Sequence, residues 1–173
     1  MAVDHVKSTV ITNLDATPVV VPTGGRGGPE PLFHVSGYAT AVASSSADST
    51  YQLVRLPWNA SVKMIVFESD AQGAGKFDLG VYYASDHGTS LLAAAAVDQD
   101  FFATVIDCAS AVARTDVTNE SGTYTNAKRQ QPLWQAVGLT ADPGGFADIV
   151  ATVKTTAVTT GTGVFGISVF YVN

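Results

Sequence analysis

Ser61-Val-Lys-Met-Ile-Val-Phe-Glu-Ser-Asp-Ala-Gln-Gly-Ala-Gly-Lys-Phe-Asp-Leu-Gly-Val-Tyr-Tyr83 decides the fold. In its second half Phe77, Leu79, Val81 and Tyr83 alternate with Lys76, Asp78 and Gly80. A period of two puts the first set on one side of an extended chain, so this half reads as a half-buried strand. The first half also alternates, with Val62, Met64 and Val66 on one side. Ile65 and Phe67 on the other side are apolar too, which predicts a strand covered on both faces. Asp70 to Gly75, between the halves, reads as a turn.

Working outward, the same spacing continues. Residues 33–43 form a small-residue run, and Tyr51 to Leu56 form another, ending at Pro57-Trp58-Asn59. Residues 84–98 read as a loop with an Ala-rich run. Periodicity leaves Asp100 to Ala111 open between strand and short helix. Arg114 to Asn126 is polar and reads as a surface excursion. Asp148 to Lys154 and Gly163 to Tyr171 read as a final hairpin, with Phe165, Ile167, Val169 and Tyr171 on one face. About eight antiparallel strands predict an all-β sandwich of the jelly-roll-like kind. One short helix is expected within Arg129-Gln-Gln-Pro-Leu-Trp-Gln-Ala-Val-Gly-Leu-Thr-Ala-Asp-Pro143. Pro132 can open it, Leu133, Trp134 and Val137 share its face, and Gly138 closes it. The predicted core is Phe77, Leu79, Val81, Ile149, Val153, Phe165, Ile167 and Val169, with Trp134 buried against it.

Residues 1–32 differ from the sandwich domain expected over 33–173. Val6, Val10 and Ile11 are spaced apolar anchors, and Val19, Val20 and Val21 are a short extended run. Pro22, Gly24, Gly25, Gly27, Gly28, Pro29 and Pro31 then break regular structure. The reading is an extended arm and a flexible connection, with the six named residues as its interface; an edge strand of the same domain is the alternative.

The chain has 173 residues, enough for one domain with a proper core. Only 14% are charged while 46% are hydrophobic, so much of the surface is uncharged and partners are expected to cover some of it. The net charge of −6 argues against direct nucleic-acid binding, which needs a basic patch. Lys128-Arg129, an adjacent basic pair, reads as a solvated loop pair. The single cysteine, Cys108, excludes an internal disulfide framework and reads as a buried small hydrophobe. No signal core and no run of membrane-spanning length is seen, so synthesis in a cytoplasm is expected and the sequons at Asn59 and Asn119 read as chance.

The search for chemistry finds no catalytic signature, so no enzyme and no cofactor are expected. Gly73-Ala-Gly-Lys76 resembles the end of a phosphate-binding loop, but Asp70 stands where its first glycine belongs and Phe77 where a hydroxyl would hold magnesium. His5, His34 and His87 lack metal-ligand spacing. Ser168 lies mid-strand and not in a nucleophile elbow. Asp98 and Asp100 could share one side of an extended segment and bind calcium, or simply be a solvated turn. Trp58, Tyr82 and Tyr83 are the candidates for a sugar platform, although Trp58 reads better as packing after Pro57.

Three stretches carry a resemblance: Lys7-Ser-Thr-Val-Ile-Thr-Asn-Leu-Asp-Ala-Thr-Pro18, Tyr51-Gln-Leu-Val-Arg-Leu-Pro57 with Ala60, and Gln131-Pro-Leu-Trp-Gln-Ala-Val-Gly-Leu-Thr-Ala-Asp-Pro143 with the closing strand. In these the chain resembles tailed-bacteriophage virion proteins of the small head-decoration, or capsid cement, type. The resemblance implies a non-enzymatic protein on the capsid surface of the virion, made in a bacterial host. Its implied partners are the major capsid protein and further copies of itself, with a homotrimer favoured and no nucleic acid or membrane. A receptor- or glycan-binding surface protein of the virion is the alternative.

Overall fold

The computed structural model describes residues 5–18, 31–84, 96–154, 158 and 163–173. Nine strands and two short α-helices occur among them. In chain order these are β1 (His5–Lys7), α1 (Thr9–Leu14), β2 (Phe33–Thr40), β3 (Thr50–Pro57), β4 (Ser61–Ser69), β5 (Lys76–Tyr83), β6 (Ala96–Asp107), β7 (Val112–Asp116), α2 (Leu133–Ala136), β8 (Phe146–Val153) and β9 (Val164–Val172). A single 3₁₀ turn, Lys128–Gln130, precedes α2.

The strands form a five-stranded sheet in the order β1-β3-β8-β5-β6 and a four-stranded sheet in the order β2-β9-β4-β7. From β2 onward every connection crosses between the sheets except β5 to β6. This is the expected all-β antiparallel sandwich. All pairings are antiparallel apart from β1 with β3.

The inner faces of the two sheets meet as expected for a packed sandwich. Phe77, Leu79, Val81, Ile149, Val153, Phe165, Ile167 and Val169 are all buried. Phe165 is their centre, stacked 4.6 Å from Phe77 and edge-on 5.0 Å from Tyr51. A second knot joins Phe101, Phe102 and Tyr124, with centroids 5.0–5.3 Å apart.

Several sequence expectations need correction. The closing segments do not form a hairpin: β8 pairs with β3 and β5, while β9 pairs with β2 and β4 in the other sheet. Alternation shows that both strands have an apolar face, but not whether those faces lie side by side or opposed. In β4 a bulge between Val62 and Met64 shifts the pleat. Val62, Ile65 and Phe67 therefore face the core, and Met64 and Val66 are half-buried. Asp100 to Ala111 is strand to Asp107. The polar excursion at 114–126 holds two anchors: Thr118 Oγ1 accepts the Ile65 N–H (2.8 Å), and the Tyr124 hydroxyl donates to the Val62 carbonyl (2.7 Å). These satisfy backbone groups freed at the β4 bulge.

Trp134 is half-buried at the edge of the core, and Leu133 and Ala136 carry the burial of α2. The first N–H groups of a helix have no partner within it. Here Leu133 N–H donates to the Ala60 carbonyl (2.8 Å) and Trp134 N–H to the Trp58 carbonyl (3.2 Å). That docking puts Trp58, only 1% exposed, inside. Gly138 ends the turn at φ +90°, a conformation suited to glycine. The stretch expected as an extended arm is also different: residues 5–18 contain a strand and a helix, and Ile11 is fully buried.

Candidate functional site

The outer face of the five-stranded sheet is polar yet buried. Cross-strand register lines up Arg55, Asp148 and Tyr82 in one row, Gln52, Val150 and Gly80 in the next, and Thr50, Thr152 and Asp78 in a third. Both Asp148 and Asp78 are fully buried. Buried charges persist only where they are paired and hydrogen-bonded, and each of these is.

At one end the β1–α1 unit closes over the face through a chain of four charges. The Arg55 guanidinium grips Asp148 with two bonds, Nε to Oδ1 at 2.7 Å and Nη2 to Oδ2 at 3.0 Å. Its Nη1 reaches Asp15 Oδ1 at 2.8 Å, and Lys7 Nζ reaches Asp15 Oδ2 at 2.6 Å. Asp15 follows the last turn of α1, and Lys7 ends β1, so two of the four charges belong to the unit. Burial alone raises the Asp15 carboxyl, but the Lys7 hydrogen bond and the Arg55 charge outweigh it and hold it below the usual range. Ser8 is the cap that starts α1: its Oγ accepts the Ile11 N–H (3.3 Å), and its hydroxyl donates to the Leu53 carbonyl. A Cβ on Gly37 would lie 1.8 Å from that same Leu53 oxygen. β2 and β3 therefore cross at van der Waals limit beneath the helix, which only glycine allows.

At the other end Asp78 organises β6. Its carboxylate takes Lys154 Nζ (2.9 Å), the Gln99 amide (3.2 Å) and the Val105 N–H (2.8 Å), the last held at φ 53°. Leu79 pairs with Ala103 and Val81 with Asp98, so β6 bulges by several residues against β5. The bulge carries the Asp98 and Gln99 carbonyls over Gly80, where a Cβ would sit 2.2 Å from each. Between the two ends, Tyr82 and Thr152 share a hydroxyl hydrogen bond of 2.8 Å. Burial pushes the Tyr82 phenol up.

The residues nominated from sequence scatter. Val6 packs half-buried against the core and Ile11, within α1, is buried; nothing is described of the Val10 side chain, and Val19, Val20 and Val21 lie outside the described residues. Asp98 is half-buried, and burial, then its hydrogen bond with Asp100, raises its carboxyl. No group of three or more His, Cys, Asp or Glu that could hold a metal occurs among the described residues. His34 stacks on Phe170 at 4.7 Å and meets Ser36, while His87 and the His5 side chain lie outside the description. Lys128-Arg129 is not a solvated pair. Arg129 donates to the Lys63 carbonyl (2.7 Å), Lys63 donates to the Arg129 carbonyl (2.8 Å), and Lys128 lies 5.1 Å over the Phe101 ring. Of the aromatic candidates, Trp58 and Tyr82 are buried and Tyr83 is exposed. Cys108 is buried and its thiol is pushed up to about 11 by burial. No helix among the described residues is long and apolar enough to cross a membrane.

Sequence reasoning missed Arg55, Asp148, Asp15, Asp78 and Lys154 as a set. The available signal was a charge inside an otherwise apolar strand, as in Leu53-Val-Arg-Leu56 and Ala147-Asp-Ile-Val150.

No protein family and no curated protein matches this sequence. The fold is similar to that of a chain in the solved capsid of Ralstonia phage GP4, with a TM-score of 0.65 at 12% identity, covering 98% of this chain and 97% of that one. A chain of the cyanophage Pam1 capsid asymmetric unit aligns at a TM-score of 0.44 and 18% identity, over 88% of this chain and 91% of that one. What the first of these likenesses establishes is the fold.

Proposed function

We propose that this chain is a non-enzymatic structural protein of a phage virion, bound to the capsid surface as a decoration or cement protein. The observation that carries the reading is the end-to-end fold likeness to a chain of the GP4 capsid. The chemistry is consistent with it: the charged groups on the outer sheet face are spent on one another, and the one cysteine is inert. The eight-strand winding is taken as a jelly roll, the major capsid protein as the partner, and a homotrimer as the bound form. A protein that binds the assembled lattice and not free subunits stabilises the shell by mass action. Modest contacts repeated over many copies suffice for that.

The test is a particle made without this chain. It should assemble, yet release its DNA at lower temperature or lower salt, and added protein should restore the difference. Particles that are equally robust without it overturn the cement reading. If such particles instead fail to adsorb to cells, the receptor-binding alternative replaces it.

A further inference from the structure

We propose that two copies of this chain join through their β7 edges, antiparallel and two-fold, so that their four-stranded sheets become one. The capsid-bound reading gives the contact its use, linking one bound trimer to the next, but the argument rests on strand geometry and charge. β7 is the outer strand of its sheet, and residues 113–116 are all exposed. The β6 edge of the other sheet is covered by the chain itself. Just after β7, the Ser121 hydroxyl donates to the Phe101 carbonyl (2.8 Å) and the Ser121 N–H to the Phe102 carbonyl (3.0 Å), while Glu120 accepts the Thr104 N–H (2.7 Å). Among the described residues nothing covers β7 in this way on the side away from β4.

Direction and charge select one register. The Val117 N–H donates to the Ile65 carbonyl (2.9 Å), so Val117 faces β4. Backbone groups alternate sides along a strand. Those of Thr115 therefore also face β4, and those of Arg114 and Asp116 face the open edge. The extra residue between Thr115 and Val112, opposite Phe67 and Ser69, interrupts the ladder on the Val112 side of this window. A second β7 running antiparallel can pair the open groups in three ways: Arg114 with Arg114, Asp116 with Asp116, or Arg114 with Asp116. The first two set like charges opposite each other, and charges of that kind guard an edge strand. The third sets two pairs of opposite charges about a Thr115–Thr115 centre. Both charges are available for it. Arg114 forms no ion pair among the described residues, and Asp116 receives the Thr118 N–H (2.9 Å) and the Thr118 hydroxyl but no cation. Three residues a side fall well short of the area a stable dimer buries. The contact is therefore weak alone and counts where many copies are held side by side.

In that register Thr115 faces its copy as a non-hydrogen-bonded pair, with Cα atoms about 4.5 Å apart, inside the window for a disulfide. In a Cys108→Ala background, purified Thr115→Cys chain is oxidised and run under denaturing, non-reducing conditions beside Thr123→Cys, a position that is also exposed. Thr115→Cys should give a covalent dimer and Thr123→Cys should not. Adding Arg114→Asp or Asp116→Arg to Thr115→Cys should each abolish the dimer. Mixing those two chains should restore it, because each charge then meets its opposite. Asp116 also holds Thr118, so Arg114→Lys, which keeps the sign and leaves Asp116 in place, is the second check and should retain the dimer. A Thr115→Cys chain that crosslinks no better than Thr123→Cys overturns the proposal. So does loss of the dimer in Arg114→Lys, or a mixture of the two reversed chains, both folded by circular dichroism, that crosslinks no better than either alone. The readout uses purified protein, so it stands or falls apart from shell binding.

Discussion

Arg55→Met removes the centre of the four-charge chain while keeping a long side chain in place. Arg55 is 7% exposed and faces Asp148, which is fully buried, and Asp15, which is 7% exposed. The variant leaves Asp15 with Lys7 but takes from Asp148 its two-bond cationic partner. Removing one half of a buried ion pair costs about 3–5 kcal/mol, because the remaining charge keeps its desolvation penalty and loses its main compensation. For a chain of this length that is a fall in melting temperature of roughly 6–20 °C. Scanning calorimetry at fixed protein concentration measures it, since any oligomer makes the midpoint concentration-dependent. Hydrogen exchange locates it: amides of α1 should lose protection before those of β8 and β9. The double variant Arg55→Met, Asp148→Leu removes the buried carboxylate as well and should recover part of the loss. A single variant within about 1 kcal/mol of the parent, or a double variant less stable than the single, refutes the view that this chain of charges holds the N-terminal unit.

Acid should release the same unit. The Asp15 carboxyl is held below its ordinary range, so its contribution is complete above the unfolded value and is lost as pH falls through the folded one. Exchange protection of α1 should weaken only below about pH 4, and Asp15→Asn should abolish that pH dependence. Gly37→Ala should reach or exceed the top of the ~1–3 kcal/mol overpacking range, since backbone stands 1.8 Å from the new carbon, as urea unfolding will show. Gly122→Ala, at φ +76° but facing open space, should cost only about 1–2 kcal/mol. Trp58→Ala should cost about 3–5 kcal/mol and Trp134→Ala visibly less, which thermal melts of the two variants compare directly. Cys108 should react with thiol reagents at pH 8 only as fast as the chain opens; rapid labelling of native protein would contradict its burial.

The fold was legible wherever a strand has one wet face or a regular pleat. Alternation picks out the inward residues Phe77, Leu79 and Val81 of Lys76–Tyr83 and Phe165, Ile167 and Val169 of Val164–Val172, but the reading of Lys76–Tyr83 as half-buried is corrected: Asp78 and Tyr82 on its other face are buried too, and Tyr83, read with the inward set, is exposed. Legibility failed at irregularities. The β4 bulge moves Val62 and Ile65 to the same side, although their spacing in sequence says otherwise. The wide bulge of β6 between Asp98 and Ala103 breaks the period at the start of Asp100 to Ala111, the stretch whose periodicity does not decide between strand and helix. Sheet membership was invisible for β8 and β9 because a period of two reports a face and not a neighbour. α2 was placed correctly by Pro132 and Gly138, but which tryptophan it buries was decided by the Trp58 and Ala60 carbonyls that receive its N–H groups.

The outer-face site was illegible for a different reason. Arg55 finds Asp15 40 residues away and Asp148 93 residues away, and no local spacing records either meeting. What the sequence does record is a contradiction. A sandwich strand should be polar on its outer face because water lies there, and such residues normally read as solvated. Here the outward set of β8, Asp148, Val150 and Thr152, is polar at two of three positions and buried at all three. A sheet face cannot be both polar and dry unless something polar covers it, since uncompensated burial of those groups is costly. The β1–α1 unit and the β6 bulge are that cover, one bringing Asp15 and Lys7, the other the Gln99 amide and the Val105 N–H. The N-terminal segment is thus matched to its seat by charge as well as by its buried Ile11.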